Sequence, residues 1–186
     1  PVVTGITRGI GTTLPAMTAL PSSDRLMITN MEPRNTTRLE PALRGRFMRH
    51  EVLLMPFPSE DGQVPVITHT DLHAAIPHFD SATSPNPEAQ ARSLANPSDI
   101  VVDPVKPRAY IAALGTDRVG VVSSENGQVL ATADVGRGPR ALAVDSFGRR
   151  LYCFNRTDLS ISVLNIETDA PQVLTETRLM SPEPRA

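Results

Sequence analysis

Apolar positions fall in short bursts separated by turn residues, and in the second half of the chain the bursts keep a regular order. Ile100-Val101-Val102 and Leu142-Ala143-Val144 are brief apolar runs, suited to strands buried on both faces. The stretches 109–113 and 151–154 each follow a Pro or Gly-Arg turn, as a hairpin partner does. Val119-Gly120-Val121-Val122 and Ile161-Ser162-Val163-Leu164 are rich in β-branched residues, which favour a pleated surface. The more polar stretches 128–133 and 172–175 read as outer strands, and Asn126-Gly127 is a strong hairpin signal before the first of them. The pattern predicts units of four short strands.

These units echo one another. The stretch 97–125 superposes without a gap on 139–167: Pro97 on Pro139, Val102 on Val144, Asp103 on Asp145, Arg108 on Arg150, Tyr110 on Tyr152 and Val121 on Val163, an offset of 42 residues. A period of about 40–45 residues is that of a four-stranded propeller blade. A β-sandwich has similar turn spacing, but it does not require an ungapped repeat. A weaker third copy covers 14–30, with Asp24-Arg25 at the turn, and 46–55 supplies its delayed third strand. The predicted fold is all-β, a propeller arc of about three four-stranded blades. The expected organisation is a divergent blade over 1–70 with an insertion at 31–49, a Pro/Ser/Ala-rich insertion or linker over 71–96 with a short helix at 88–94, blades over 97–138 and 139–180, and a tail over 181–186. A ring needs about four to eight blades. The chain opens without Met and reads as an internal piece of something longer.

The last repeat resembles the YVTN family of β-propeller repeats. The resemblance rests on Gly138-Pro139-Arg140-Ala141-Leu142-Ala143-Val144-Asp145, then Gly148-Arg149-Arg150-Leu151-Tyr152, Asn155-Arg156, and Ile161-Ser162-Val163-Leu164-Asn165. Cys153-Phe154 departs from the family's Val-Ala, and Asn165 from its Asp. The match is good in the last repeat, fair in the one before and poor upstream, so it covers roughly half of the chain.

Composition narrows the chemistry. There are 18 Pro and no Trp, which disfavours long helices. With 18 Lys and Arg against 20 Asp and Glu, the net charge of −2 argues against a nucleic-acid-binding domain. No apolar run approaches the roughly 18 residues of a membrane-spanning helix. The single cysteine, Cys153, excludes an internal disulfide and reads as a buried, inert core residue.

The insertion at 31–49 carries Arg34, Arg38, Arg44, Arg46 and Arg49 against Glu32 and Glu40. Guanidiniums concentrated in one loop make an electropositive patch that suits an anion, a carboxylate or a propionate; internal pairing with Glu32 and Glu40 in a solvated loop is the competing use. The ligand- or partner-binding candidates are Arg38, Glu40, Arg44, Arg46 and Arg49. His69, His73 and His78 lie in one short stretch with Asp71 and Asp80, but their spacing matches no familiar metal site and Pro77 precludes a regular helix carrying all three. No phosphate loop, nucleophile elbow or C-x-x-C-H haem attachment occurs.

The insertion is also similar to one found in long bacterial proteins that join YVTN-like propellers to a region like that of di-haem cytochrome c peroxidases, through the segment Arg38-Leu39-Glu40-Pro41-Ala42-Leu43-Arg44-Gly45-Arg46-Phe47. That resemblance implies an extracytoplasmic parent protein (periplasm or cell surface) with haem c outside this chain. Three functions follow as expectations. The first is a non-catalytic scaffold whose loop face binds a protein partner, a neighbouring domain or a ligand, with no cofactor in this chain. The second is the propeller part of a c-type haem redox protein. A lactonase-type hydrolase has least support, because the repeats contain no converging metal ligands.

Overall fold

A computed structural model describes residues 6–21, 23–34, 47–57, 65–76, 87–147 and 149–179. Among them, twelve strands form three antiparallel four-stranded sheets, each a meander in chain order. Blade 1 contains β1 (Met17–Leu20), β2 (Arg25–Pro33), β3 (Met48–Pro56) and β4 (Thr68–Asp71). Blade 2 contains β5 (Pro97–Val102), β6 (Arg108–Ala113), β7 (Arg118–Ser123) and β8 (Val129–Asp134). Blade 3 contains β9 (Pro139–Val144), β10 (Arg150–Asn155), β11 (Ser160–Asn165) and β12 (Gln172–Arg178). A short helix, α1 (Pro87–Arg92), precedes blade 2. Pro87 opens it, where a missing N–H costs nothing, and Glu88 and Arg92 pair one turn apart at 3.0 Å.

The 42-residue echo is carried down to strand register. Val102 pairs with Ala109 in blade 2 and Val144 with Leu151 in blade 3. Arg108 pairs with Ser123, and Arg150 with Asn165. The backbone echo extends to left-handed residues: Asn96 and Gly138 share positive φ, as do Asp117 and Leu159. Two sequences that agree in pairing and in these uncommon dihedrals are two copies of one structural unit.

Blade faces make the core. In β6 every residue is buried, and alternate side chains serve different neighbours. Ala109, Ile111 and Ala113 join Met27, Val52, Leu54, Leu94 and Ile100 between blades 1 and 2. Tyr110 and Ala112 join Val119, Val121, Leu142, Leu151, Cys153, Leu164 and Ile166 between blades 2 and 3. The inner strands meet: β5 contacts β1 and β2 on one side and β9 on the other. The outer face of blade 1 is buried too, with Ile28, Leu53 and Met55 covered in part by Ile10, Leu14 and Ile67. No helix among the described residues is long and apolar enough to cross a membrane.

Candidate functional site

The insertion springs from the β2–β3 connection of blade 1. Its base is closed by the Arg34 N–H, which donates to Phe47 O at 2.9 Å. Next to this, Glu32 lies opposite Arg49 in the β2–β3 register. The two do not form the pair that their charges suggest. The Glu32 carboxylate accepts instead from the Thr12 N–H and hydroxyl at 3.1 and 2.6 Å.

Arg49 turns along its own strand to Glu51, with Nη2 at 2.8 Å from Oε1. Glu51 is 1% exposed. Its other oxygen accepts from Asn30 Nδ2 at 3.1 Å and lies 3.2 Å from His69 Nδ1. Asn30 is directly opposite Glu51, and His69 opposite Leu53, so three adjacent strands place the cluster on one face. Gly11 packs against it: a Cβ there would stand 2.5 Å from Asn30 Oδ1, so only glycine permits this approach. A buried carboxylate with one full cation and an amide donor is an anchor that holds the base of a loop, since breaking such a pair strands a charge.

Of the residues singled out from sequence, Arg49 and His69 thus meet on Glu51. His73 lies elsewhere: it is buried, its Nε2 accepts the Leu94 N–H at 3.0 Å, and its ring is edge-on to His50 at 5.4 Å. That bond leaves its proton on Nδ1, the neutral tautomer of a structural histidine. His69 and His73 therefore do not share a ligand set, and among the described residues no three His, Cys, Asp or Glu side chains gather as a metal site. Arg38, Glu40, Arg44, Arg46 and His78 lie outside the described residues.

Sequence reasoning missed Glu51 and Asn30. Glu51 stands at the head of the apolar run Val52-Leu53-Leu54-Met55, and an acid joined to a strand buried on both faces must have a partner. It also missed a second polar cluster, built by the β1–β2-type turn of blade 2. Asp103 and Arg108 form a buried pair at 2.8 Å, and the Tyr110 hydroxyl donates to Asp103 at 2.6 Å. Burial alone would raise the Asp103 pKa; the hydrogen bonds from Tyr110, Arg108 and the Val105 and Lys106 amides outweigh it and hold the carboxyl below its usual range. Burial, then the bond to Asp103, pushes the Tyr110 phenol up. Arg108 uses its remaining N–H groups on blade 3, donating to Thr168 O at 2.9 Å and to Ile166 O. Lys106 adds a bond to Glu167 O at 2.6 Å. Both polar clusters thus hold structure together, one at the root of a loop and one between blades.

No protein-family profile matches the sequence, and no curated protein does. Solved structures do. Kuenenia stuttgartiensis hydrazine synthase aligns with a TM-score of 0.65 at 15% identity, over 85% of this chain and 46% of the other. The periplasmic gluconolactonase PpgL of Pseudomonas aeruginosa gives 0.61 at 15%, over 94% and 45%. A chain of the nidogen/laminin complex gives 0.56 at 11%, over 92% and 49%. The chain spans about half the length of these structures. At such identities the likeness is one of fold: three successive four-stranded blades of a β-propeller.

Proposed function

We propose that this chain is a non-catalytic binding scaffold, a YVTN-type propeller segment of an extracytoplasmic protein. In this assignment the insertion at 31–49 offers Arg38, Glu40, Arg44 and Arg46, with Arg49 at its root, to an acidic protein surface or a neighbouring domain. One observation carries the reading: the insertion is rooted on a clamped strand pair, where Glu51 holds Arg49 and the Arg34 N–H bonds to Phe47 O, so the blade fixes the two ends from which the insertion leaves. Phe47, half exposed at that root, adds apolar contact area. The nidogen neighbour is recorded in a complex with laminin, and the gluconolactonase neighbour is periplasmic; both are consistent with a partner-binding, extracytoplasmic role.

The test is the Arg44→Ala/Arg46→Ala variant. It should retain the parent's melting curve and lose the partners that the parent captures from a native extract. Equal capture by both chains would remove the loop from the assignment. A second reading, the propeller part of a c-type haem redox protein, rests on the resemblance carried by the insertion segment 38–47. There the same loop would face a haem domain encoded downstream, and the absence of any C-x-x-C-H coding sequence would end it.

A further inference from the structure

The β7–β8 turn of blade 2 carries a reactive pair. Asn126-Gly127 is the chain's one Asn-Gly sequence, and the corresponding turn of blade 3, 166–171, contains none. Asparagine is thermally labile, most of all before glycine, which has no side chain to shield its amide nitrogen from the neighbouring carboxamide. Here the turn itself requires the glycine. Gly127 holds φ at 74°, a left-handed conformation that residues with a Cβ adopt only under strain, and a Cβ would stand 3.1 Å from Thr70. The hairpin geometry thus keeps the reactive pair in place.

The peptide plane between the two residues is held at both ends. Its N–H, on Gly127, donates to Ser123 O of the same blade at 2.9 Å. Its carbonyl, on Asn126, accepts from the Thr70 hydroxyl of blade 1 at 2.7 Å. Arg25, also from blade 1, reaches the preceding carbonyl, Glu125 O, at 3.5 Å. Gly127 is buried, against Thr70 and Val52 of blade 1, while Asn126 is exposed to water. The Asn126 side-chain oxygen accepts the Gln128 N–H at 3.0 Å. For the pair to react, the plane must turn until the Gly127 nitrogen, stripped of its proton, faces Asn126 Cγ. The bonds to Ser123 and Thr70 oppose that turn from the two sides.

From the pinned plane we infer that Asn126-Gly127 is a self-modification site that blade 1 keeps shut. When blade 1 lifts from the turn, hydroxide takes the Gly127 amide proton and the nitrogen bonds to Asn126 Cγ. The Cγ–Nδ2 bond breaks, and the departing nitrogen takes a proton from water and leaves as ammonia, which regenerates the hydroxide. Water then opens the resulting succinimide at one or other carbonyl, giving an aspartyl or an isoaspartyl residue; no oxidant or reductant takes part. In the isoaspartyl form the main chain runs through Cβ and Cγ. The turn is then longer, and both ends of the plane move away from Ser123 and Thr70. The change is one-way, so the turn keeps a covalent record of each opening between blades 1 and 2. The site is independent of the insertion-based function above.

Trypsin cuts after Arg118 and Arg137, so the peptide 119–137 carries Asn126 and no other asparagine. Its deamidated fraction is followed by mass spectrometry, and its isoaspartyl content by isoaspartyl methyltransferase labelling, while the full chain is incubated at mildly alkaline pH. The native chain should deamidate at least about tenfold more slowly than the same chain in urea. Thr70→Val keeps the side chain's shape without its hydroxyl; combined with Arg25→Ala, it should raise the native rate about tenfold and leave the rate in urea unchanged. Equal native and urea rates in the parent would overturn the inference. So would an unchanged native rate in the double variant, because blade 2 alone would then guard its own turn. Should the melting curve show that the double variant does not fold, Thr70→Val alone is read against Thr70→Ser, which retains the donor and should keep the parent's slow rate; equal rates in these two would again overturn it.

Discussion

Replacing Arg108 by Ala isolates what the inter-blade clasp contributes. The side chain is 4% exposed and bonds to Asp103, Thr168 O and Ile166 O, with its guanidinium 5.4 Å from the Tyr110 ring centre. Its removal leaves the Asp103 carboxylate buried without its cation and two carbonyls of blade 3 without a donor. Breaking a buried pair from one side costs about 3–5 kcal/mol, a large part of a total stability of about 5–15 kcal/mol. Urea unfolding should therefore show Arg108→Ala destabilised by that amount. Arg150→Ala, at the equivalent position of blade 3, should stay within about 0.5 kcal/mol of the parent. Adding Asp103→Asn to Arg108→Ala should cost less than the two single changes together, since no stranded charge remains. Acid provides a second check. Because the native Asp103 pKa is depressed, its contribution is present above the unfolded value and is lost as pH falls through the folded one. Without Arg108 that depression shrinks, so the gap between parent and variant should narrow below about pH 4. A loss under about 1 kcal/mol, as for a surface ion pair, would mean that Arg108 leaves no buried charge stranded when it is removed.

Further outcomes are expected at two residues. Leu159 holds φ at 49° where the preceding repeat uses Asp117; a left-handed L-residue costs about 1–2 kcal/mol, least for Asn or Asp. Leu159→Asn should thus raise unfolding stability by about 0.5–1 kcal/mol, and a lower denaturation midpoint would count against it. Burial, with a smaller contribution from Asp99, pushes the Cys153 thiol from 9.0 to about 12. The native protein should therefore label with a thiol-specific disulfide reagent about a thousandfold more slowly at pH 8 than the urea-unfolded chain. As this pKa is raised, its contribution is complete below pH 9 and declines toward pH 12, so above pH 9 Cys153→Ala should lose less stability than the parent, the buried Tyr110 phenol accounting for a decline in both.

The blades were legible because their signals are local. Apolar bursts, the Asn126-Gly127 turn and an ungapped echo all lie within one repeat, and the register of β5–β8 and β9–β12 follows them. Blade 1 was legible in outline: Asp24-Arg25 marks its first turn, and its third strand begins at Met48 beyond the insertion. The polar clusters were not. Asp103, Arg108 and Tyr110 stood out as repeat markers, but the acceptors of Arg108 lie 58 and 60 residues later, in a turn with no compositional sign of that role. Arg49 was marked as a binding residue, yet its partner Glu51 is two residues along the same strand. Strand alternation puts those two side chains on one face, a constraint that a loop-based reading of 31–49 did not apply.

The clasp ties the order of synthesis to the order of folding. Arg108 leaves the ribosome before either carbonyl it will hold has been translated, so the second sheet stays polar and unfinished along one rim until the third has been made. On arrested nascent chains the Tyr110 side chain, sealed between these two sheets, should escape nitration only once residues beyond 168 have cleared the exit tunnel.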